Sequence, residues 1–199
     1  MDEDRNHEHL QLIRRIMAAH ESAGIKVWLL GGWGIDALCG TIRRAHHDID
    51  LILRLADRPT HQEVMGSMAD NTPEDIPQKL RSLVDGIQCD TRYFGVLPDG
   101  KLVSDFDADD PLVYPWPPDS FPEPINGELS GIPVRAISWS AQFVAKAGFS
   151  AFQKGVPLRA KDKTDLALIE SRLPEPVLRG LRSWFPGIPK TCSEAPNSC

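Results

Sequence analysis

The sequence predicts an α/β (α+β) protein: a small mixed β-sheet flanked by helices, with a small helical C-terminal portion. Three observations predict it. Short apolar segments of strand length, residues 26–30 and 48–54, alternate with segments of helical periodicity. The first of these ends in a Gly31-Gly32 pair that opens another helix. After residue 138 the strand signals stop and helical ones replace them. The strands are too few for a large doubly wound sheet.

In chain order, residues 6–23 form a helix with Leu10, Ile13 and Met17 on one stripe and Leu12 and Ile16 beside it, stopped by Gly24. Residues 26–30 read as a buried strand. Residues 33–38 read as a short helix ended by Gly40. The second strand, 48–54, sends Ile49, Leu51 and Leu53 to one face and Asp48, Asp50 and Ile52 to the other. Residues 60–85 are mostly helical in pattern, interrupted near 71–77. A hairpin spans 91–107 around Pro98-Asp99-Gly100, and a proline-dense loop carrying Tyr114, Trp116 and Phe121 covers 109–124. Residues 127–137 close a second hairpin. Ser138 caps a helix reaching residue 149, Gly155-Val156-Pro157 breaks the pattern, and helices return at 161–172 and 175–184. The expected organisation is a core over 1–137, a helical subdomain packed on it over 138–189, and a disordered tail over 190–199.

The formal net charge of -6 argues against a nucleic-acid backbone or an anionic membrane as the main partner, and suits a cationic small molecule. Cys39, Cys89, Cys192 and Cys199 form no C-x-x-C pair, so neither a zinc ribbon nor a disulfide framework is expected. No apolar run follows Met1-Asp2-Glu3-Asp4, so no secretory signal is expected, and a cytoplasmic protein is.

Two local patterns carry chemistry. Asp48 and Asp50 lie on one strand face, about 6.6 Å apart along the backbone. Two such carboxylates can share one Mg²⁺, a hard cation that takes one or two carboxylates and completes its shell with water and phosphate. Alone, the pattern also describes a solvated edge strand. Gly31-Gly32, between a strand and a helix, lets backbone N–H groups approach a phosphate, or else simply supplies positive φ for a tight turn. The spacing is neither that of the dinucleotide-binding fingerprint nor that of the P-loop. Trp33 reads as a core residue. His47, His61 and the His7-Glu8-His9 cluster read as surface. Asp105, Asp107, Asp109 and Asp110 form an acidic run, either a solvated loop or a sink for a polycation.

Leu30-Gly31-Gly32-Trp33-Gly34-Ile35-Asp36-Ala37-Leu38, followed by Arg44-x-His46-x-Asp48-Ile49-Asp50, resembles the signature of the polymerase-β-type nucleotidyltransferase superfamily. Within it, the pattern is similar to that of the small antibiotic nucleotidyltransferases acting on aminoglycosides or lincosamides. Gly131-Ile132-Pro133-Val134-Arg135 and Lys161-Asp162-Lys163-Thr164-Asp165 resemble later segments of such enzymes, so the likeness spans most of residues 25–170.

The resemblance implies a nucleotidyltransferase fold and a Mg²⁺-dependent enzyme moving a nucleoside monophosphate, AMP from ATP, to a hydroxyl of a small molecule with release of pyrophosphate. It implies Asp48 and Asp50 as metal ligands, with Gly31 and Gly32 at the nucleotide phosphates. Arg44 and Lys161 would neutralise phosphate charge, and His46 would bond a phosphate or brace Asp48. It implies a third carboxylate, as metal ligand or general base, for which Asp105 and its rival Asp107 remain open. The loop over 109–124 would shape the acceptor pocket. Other readings are a nucleotidyltransferase fold kept as a binding or regulatory module, and a toxin-like enzyme modifying a protein or RNA.

Overall fold

The computed structural model describes residues 2–76, 79–105, 113–152 and 158–184. Six helices and nine strands are defined among them. They are α1 (Asp2–Ser22), β1 (Trp28–Leu30), α2 (Gly31–Cys39), β2 (Asp48–Arg54), α3 (Arg58–Met68), β3 (Glu74–Ile76), β4 (Lys79–Val84), β5 (Ile87–Val96), β6 (Leu102–Asp105), β7 (Val113–Trp116), β8 (Gly127–Leu129), β9 (Ile132–Val134), α4 (Trp139–Phe152), α5 (Ala160–Arg172) and α6 (Glu175–Arg182). The expected tail, 190–199, lies outside the described residues.

The main sheet is mixed and runs β1-β2-β5-β4-β3, while β6 joins the far end of β5 and β7 pairs with β6. β2 and β5 are parallel, in register from Asp48 opposite Gln88 to Arg54 opposite Phe94. The other neighbours in the sheet are antiparallel. β8 and β9 form a separate hairpin that turns at Ser130 and Gly131, both at positive φ, the backbone twist such a turn requires.

Strand alternation divides the core between the two sheet faces. Ile49, Leu51, Leu53, Cys89 and Tyr93 pack with Leu12, Ile13 and Ile16 of α1 and Met65 of α3. Trp28, Leu30, Ile52 and Phe94 pack on the other face with Phe143 and Val144 of α4, Leu166 and Ile169 of α5, and Leu178 and Leu181 of α6. The division of β2 into two faces is the one its sequence predicts.

Residues 60–85 are not mostly helical. α3 ends at Met68, and residues 74–76 and 79–84 supply β3 and β4 instead. Leu80, Ser82 and Val84 of β4 all point inward, and an inward serine breaks the apolar alternation by which a strand is recognised. β7 likewise falls inside the expected loop. The stretch after β7 remains loop and is pinned from within: Phe121 stacks on Phe94 at 3.6 Å and Trp28 donates to the Pro122 carbonyl at 2.8 Å. Cys89 is a buried free thiol, whereas Cys39 is disulfide-bonded.

Two of the histidines expected at the surface are inside. His7, Glu8 and His47 are not buried, but His9 and His61 are, as is His20. His9, Ile13, Ile16 and His20 form one continuous stripe of α1, so helical geometry carries the polar rings into the core with the apolar ones. The Ile16 carbonyl can only accept, so His20 donates to it through Nδ1 at 2.7 Å, and its Nε2 accepts from His61 Nδ1 at 2.8 Å.

Burial, then the neighbouring His20, pushes His61 from 6.5 down to about 3. The unfolded chain therefore binds a proton at this residue below pH 6.5 that the folded chain refuses. Stability falls as the pH drops from 6.5 towards about 3, by about 1.4 kcal/mol per pH unit for the one group. Urea midpoints measured at intervals down this range are expected to fall accordingly, and to fall less steeply in His61→Gln.

Candidate active site

Leu30, the last residue of β1, lies opposite Asp50 of β2. The chain then turns at Gly31, at φ +66°, into α2. Both glycines are required by what approaches them. A Cβ at Gly31 would sit 2.6 Å from Asp50 Oδ2, and one at Gly32 would sit 2.4 Å from the His46 ring and 2.7 Å from an Arg44 nitrogen. The fold thus brings together Gly31, Gly32, Arg44, His46 and Asp50, with Asp48 two residues earlier on the same face of β2.

A third carboxylate joins them from β5. Asp90 is directly opposite Asp50 across the parallel β2–β5 ladder and shares its face. Arg81 of β4 donates to it at 3.0 Å and Lys79 bonds its other oxygen. The strand expected from the sequence begins at Thr91, one residue too late to include it. The alternation Cys89-Asp90-Thr91-Arg92-Tyr93 was the available signal. Asp105 ends β6, which pairs with β5 at Gly95 and Val96, beyond the Asp90 end of that strand. Asp107 lies outside the described residues.

The two facing aspartates have opposite electrostatics. Burial, then the charge of Asp48, pushes the Asp50 carboxyl up to about 6, and the attraction of Arg92 and Lys146 does not offset it. Burial would also raise Asp90, but its bonds from Arg81 and Lys79 outweigh that and hold it below the usual carboxylate range. Asp90 is therefore ionised at neutral pH, whereas ionised Asp50 is under-compensated.

His46 does not brace Asp48. Its Nε2 donates to Asp36 of α2 at 2.7 Å, its ring lies 4.4 Å from that of Trp33, and burial lowers its pKa against the pull of Asp36. Trp33 is in the core, as its sequence predicts. Arg43 also binds Asp36, at 2.6 Å, so one buried carboxylate fixes the loop that leads into β2.

Behind this loop lies a buried ion network that the sequence did not announce. Asp165 of α5 is reached by Arg43 at 3.1 Å, Arg44 at 3.4 Å and Lys146 of α4 at 2.9 Å. Lys146 also binds Asp162 at 3.0 Å, and Arg159 binds Asp162 at 2.6 Å. The two aspartates of the Lys161–Asp165 segment are thus structural anchors. Lys161 itself is half-buried on the first turn of α5 and takes no part in this network. Asp165→Asn removes an anion shared by three cations and is expected to cost about 3 kcal/mol, read as a lowered urea midpoint.

Among the described residues no group of three or more His, Cys, Asp or Glu could hold a metal ion by itself. Asp48 and Asp50 are the residues that could hold a hard cation such as Mg²⁺, which takes one or two carboxylates and shares its remaining positions with water and phosphate. The raised Asp50 carboxyl beside Asp48 is the chemistry of such a donor pair. No helix among the described residues is long and apolar enough to cross a membrane.

Comparison with known proteins agrees with this geometry. The chain is 27% identical over 133 residues to a 2''-aminoglycoside nucleotidyltransferase of Escherichia coli, covering 65% of this chain and 68% of the relative. A protein of the same name from Klebsiella pneumoniae matches equally. In fold, the chain is similar to ANT(2'')-Ia crystallised with adenylyl-2''-tobramycin, with a TM-score of 0.73, 23% identity and coverage of 89% of this chain and 97% of that one. It is also similar to the lincosamide antibiotic adenylyltransferase LnuA bound to lincomycin, with a TM-score of 0.60, 21% identity and coverage of 86% and 98%. The family model for aminoglycoside-2''-adenylyltransferase matches residues 12–169. By that match this chain, a nucleotidyltransferase in fold, belongs to the aminoglycoside-2''-adenylyltransferase family.

Proposed function

We propose that this protein transfers AMP from Mg²⁺-bound ATP to a hydroxyl of an aminoglycoside-like small molecule, releasing pyrophosphate, and so confers antibiotic resistance. The observation that carries the reading is the meeting of Asp50 and Asp90 on adjacent parallel strands beneath the Gly31 turn. The named activity of the relatives supports the substrate class.

Asp48 and Asp50 would hold Mg²⁺. When bound, the ion offsets negative charge on the triphosphate and on the departing pyrophosphate. The first-turn amides of α2 have no carbonyl partner within the helix and lie at its positive end, so they suit a phosphate. Gly32 places them without a side chain in the way. Arg44, a half-buried cation beside Gly32, adds positive charge.

Asp90 would accept the proton of the attacking hydroxyl. As the O–P bond to the α-phosphorus forms, the bond to the pyrophosphate oxygen breaks and that oxygen carries away the charge. Arg81 and Lys79 hold the Asp90 carboxylate ionised and in one orientation. Positioning and charge complementarity supply most of the acceleration, as for phosphoryl transfer generally.

The test is pyrophosphate release by purified protein with ATP and MgCl₂ against a panel of aminoglycosides and lincosamides, with mass spectrometry of the acceptor. A product heavier by one adenylyl group supports the reading. ATP binding without product across the panel would instead mark a binding module.

A further inference from the structure

The helix that starts at the glycine turn has no cap of its own. Its N-cap residue is Leu30, which makes no side-chain capping bond. A helix start of this kind ordinarily carries Ser, Thr, Asp or Asn, whose side-chain oxygen satisfies one of the free amides. Here the oxygen comes from the other end of the chain. The Gly31 N–H donates to Gln142 Oε1 at 3.2 Å, and Gln142 lies in the first turns of α4, fully buried.

Two further details show that the contact is built rather than incidental. A Cβ at Gly34 would sit 2.4 Å from Gln142 Nε2 and 2.7 Å from the Leu29 carbonyl oxygen, so the glycine after Trp33 admits both the β1 backbone and the amide group. Among the described residues, Nε2 itself is buried and meets no hydrogen-bond partner. A hydrocarbon side chain would fill the same space without that desolvation cost. The orientation is fixed, because an N–H can bond only the oxygen of the amide.

An uncharged acceptor also suits the place. A carboxylate here would repel both Asp50 and an incoming phosphate, whereas an amide oxygen satisfies one N–H and leaves the charge of the turn unchanged. One helical turn further on, Lys146 ties α4 to Asp162 and Asp165 of α5, and Asp165 holds Arg44 beside Gly32. Both glycines are therefore referenced to the C-terminal helices.

We propose that Gln142 is a positioning residue of the donor site, holding the Gly31 amide so that the turn presents the remaining α2 amides and seats against Asp50 in one geometry. This role rests on the nucleotidyltransferase function proposed for the chain, and the test separates the two. ATP with MgCl₂ is titrated calorimetrically into wild-type protein and Gln142→Met, which keeps the length and loses the acceptor. The KM of an acceptor is measured in parallel.

The expected result is an ATP Kd raised about three- to tenfold, the loss of one hydrogen bond, with the acceptor KM within about twofold. An unchanged ATP Kd, or an equal rise in both constants, overturns the proposal. Wild-type protein that binds no ATP overturns the functional reading instead. Should the variant fold poorly, amide exchange in the wild type decides. Protection of the Gly31 N–H before ATP is added supports the bond, and exchange as fast as in an exposed loop overturns the proposal.

Discussion

Asp50→Asn is expected to abolish transfer and, in the absence of divalent metal, to stabilise the protein. The two effects have one cause. Asp50 lies half-buried beneath Gly31, and desolvation there, with the charges of Asp48 and Asp90, pushes its carboxyl up to about 6 from an ordinary 3.8. A raised folded-state value means that stability is present at low pH and is lost as the pH rises from 3.8 through about 6. At neutral pH the ionised carboxylate therefore destabilises the metal-free fold, by up to about 3 kcal/mol, and a neutral asparagine relieves it. The same substitution removes a metal ligand and should cut pyrophosphate release by at least about 10²–10³-fold. Urea midpoints in EDTA should rank the variant above the wild type, and MgCl₂ should raise the wild type far more than the variant. Equal responses to MgCl₂ would remove the metal assignment.

Asp90→Asn should be the second large loss, about 10²–10⁴-fold in kcat with little change in the KM for ATP. Asparagine has nearly the same shape, but it keeps a single acceptor oxygen where Arg81 and Lys79 bond two, and it cannot take a proton from the acceptor hydroxyl. Asp105→Asn is the control, since β6 meets β5 at Gly95 and Val96, away from the Asp50–Asp90 pair. It should retain activity within about threefold. A collapse in Asp105→Asn with Asp90→Asn unimpaired would place the base on β6.

The placement of these two aspartates shows which features a sequence makes legible and which it does not. Gly31-Gly32 and Asp48-Ile49-Asp50 were legible because their chemistry is local: a strand alternates every second residue, and a glycine pair marks a close approach. Their convergence came from a short connection, and the structure places Asp50 against Gly31. The third acid depends on which strand lies beside β2, and that strand comes after α3, β3 and β4. Reading residues 60–85 as mostly helical hid β4, and with it the two cations that hold Asp90. His9 and His61 were misplaced for a related reason, since polarity suggests exposure, whereas a helical stripe buries whatever it carries. Gln142 left no local signal. A glutamine in an amphipathic helix acquires its meaning only from the amide it meets.

By itself, the sequence determined a mixed α/β fold with a helical C-terminal portion, a glycine turn made for close approach, and an acid pair on one strand face. Those features are set by backbone periodicity and by the absence of a Cβ, over a few consecutive residues. Only the tertiary structure decided that Asp90 faces Asp50, that Asp36 rather than Asp48 engages His46, and that α4 caps α2 from across the molecule. Each of those is a pairing between separate segments of the chain, chosen by parallel strand register and by burial, and none is written in any short stretch of residues.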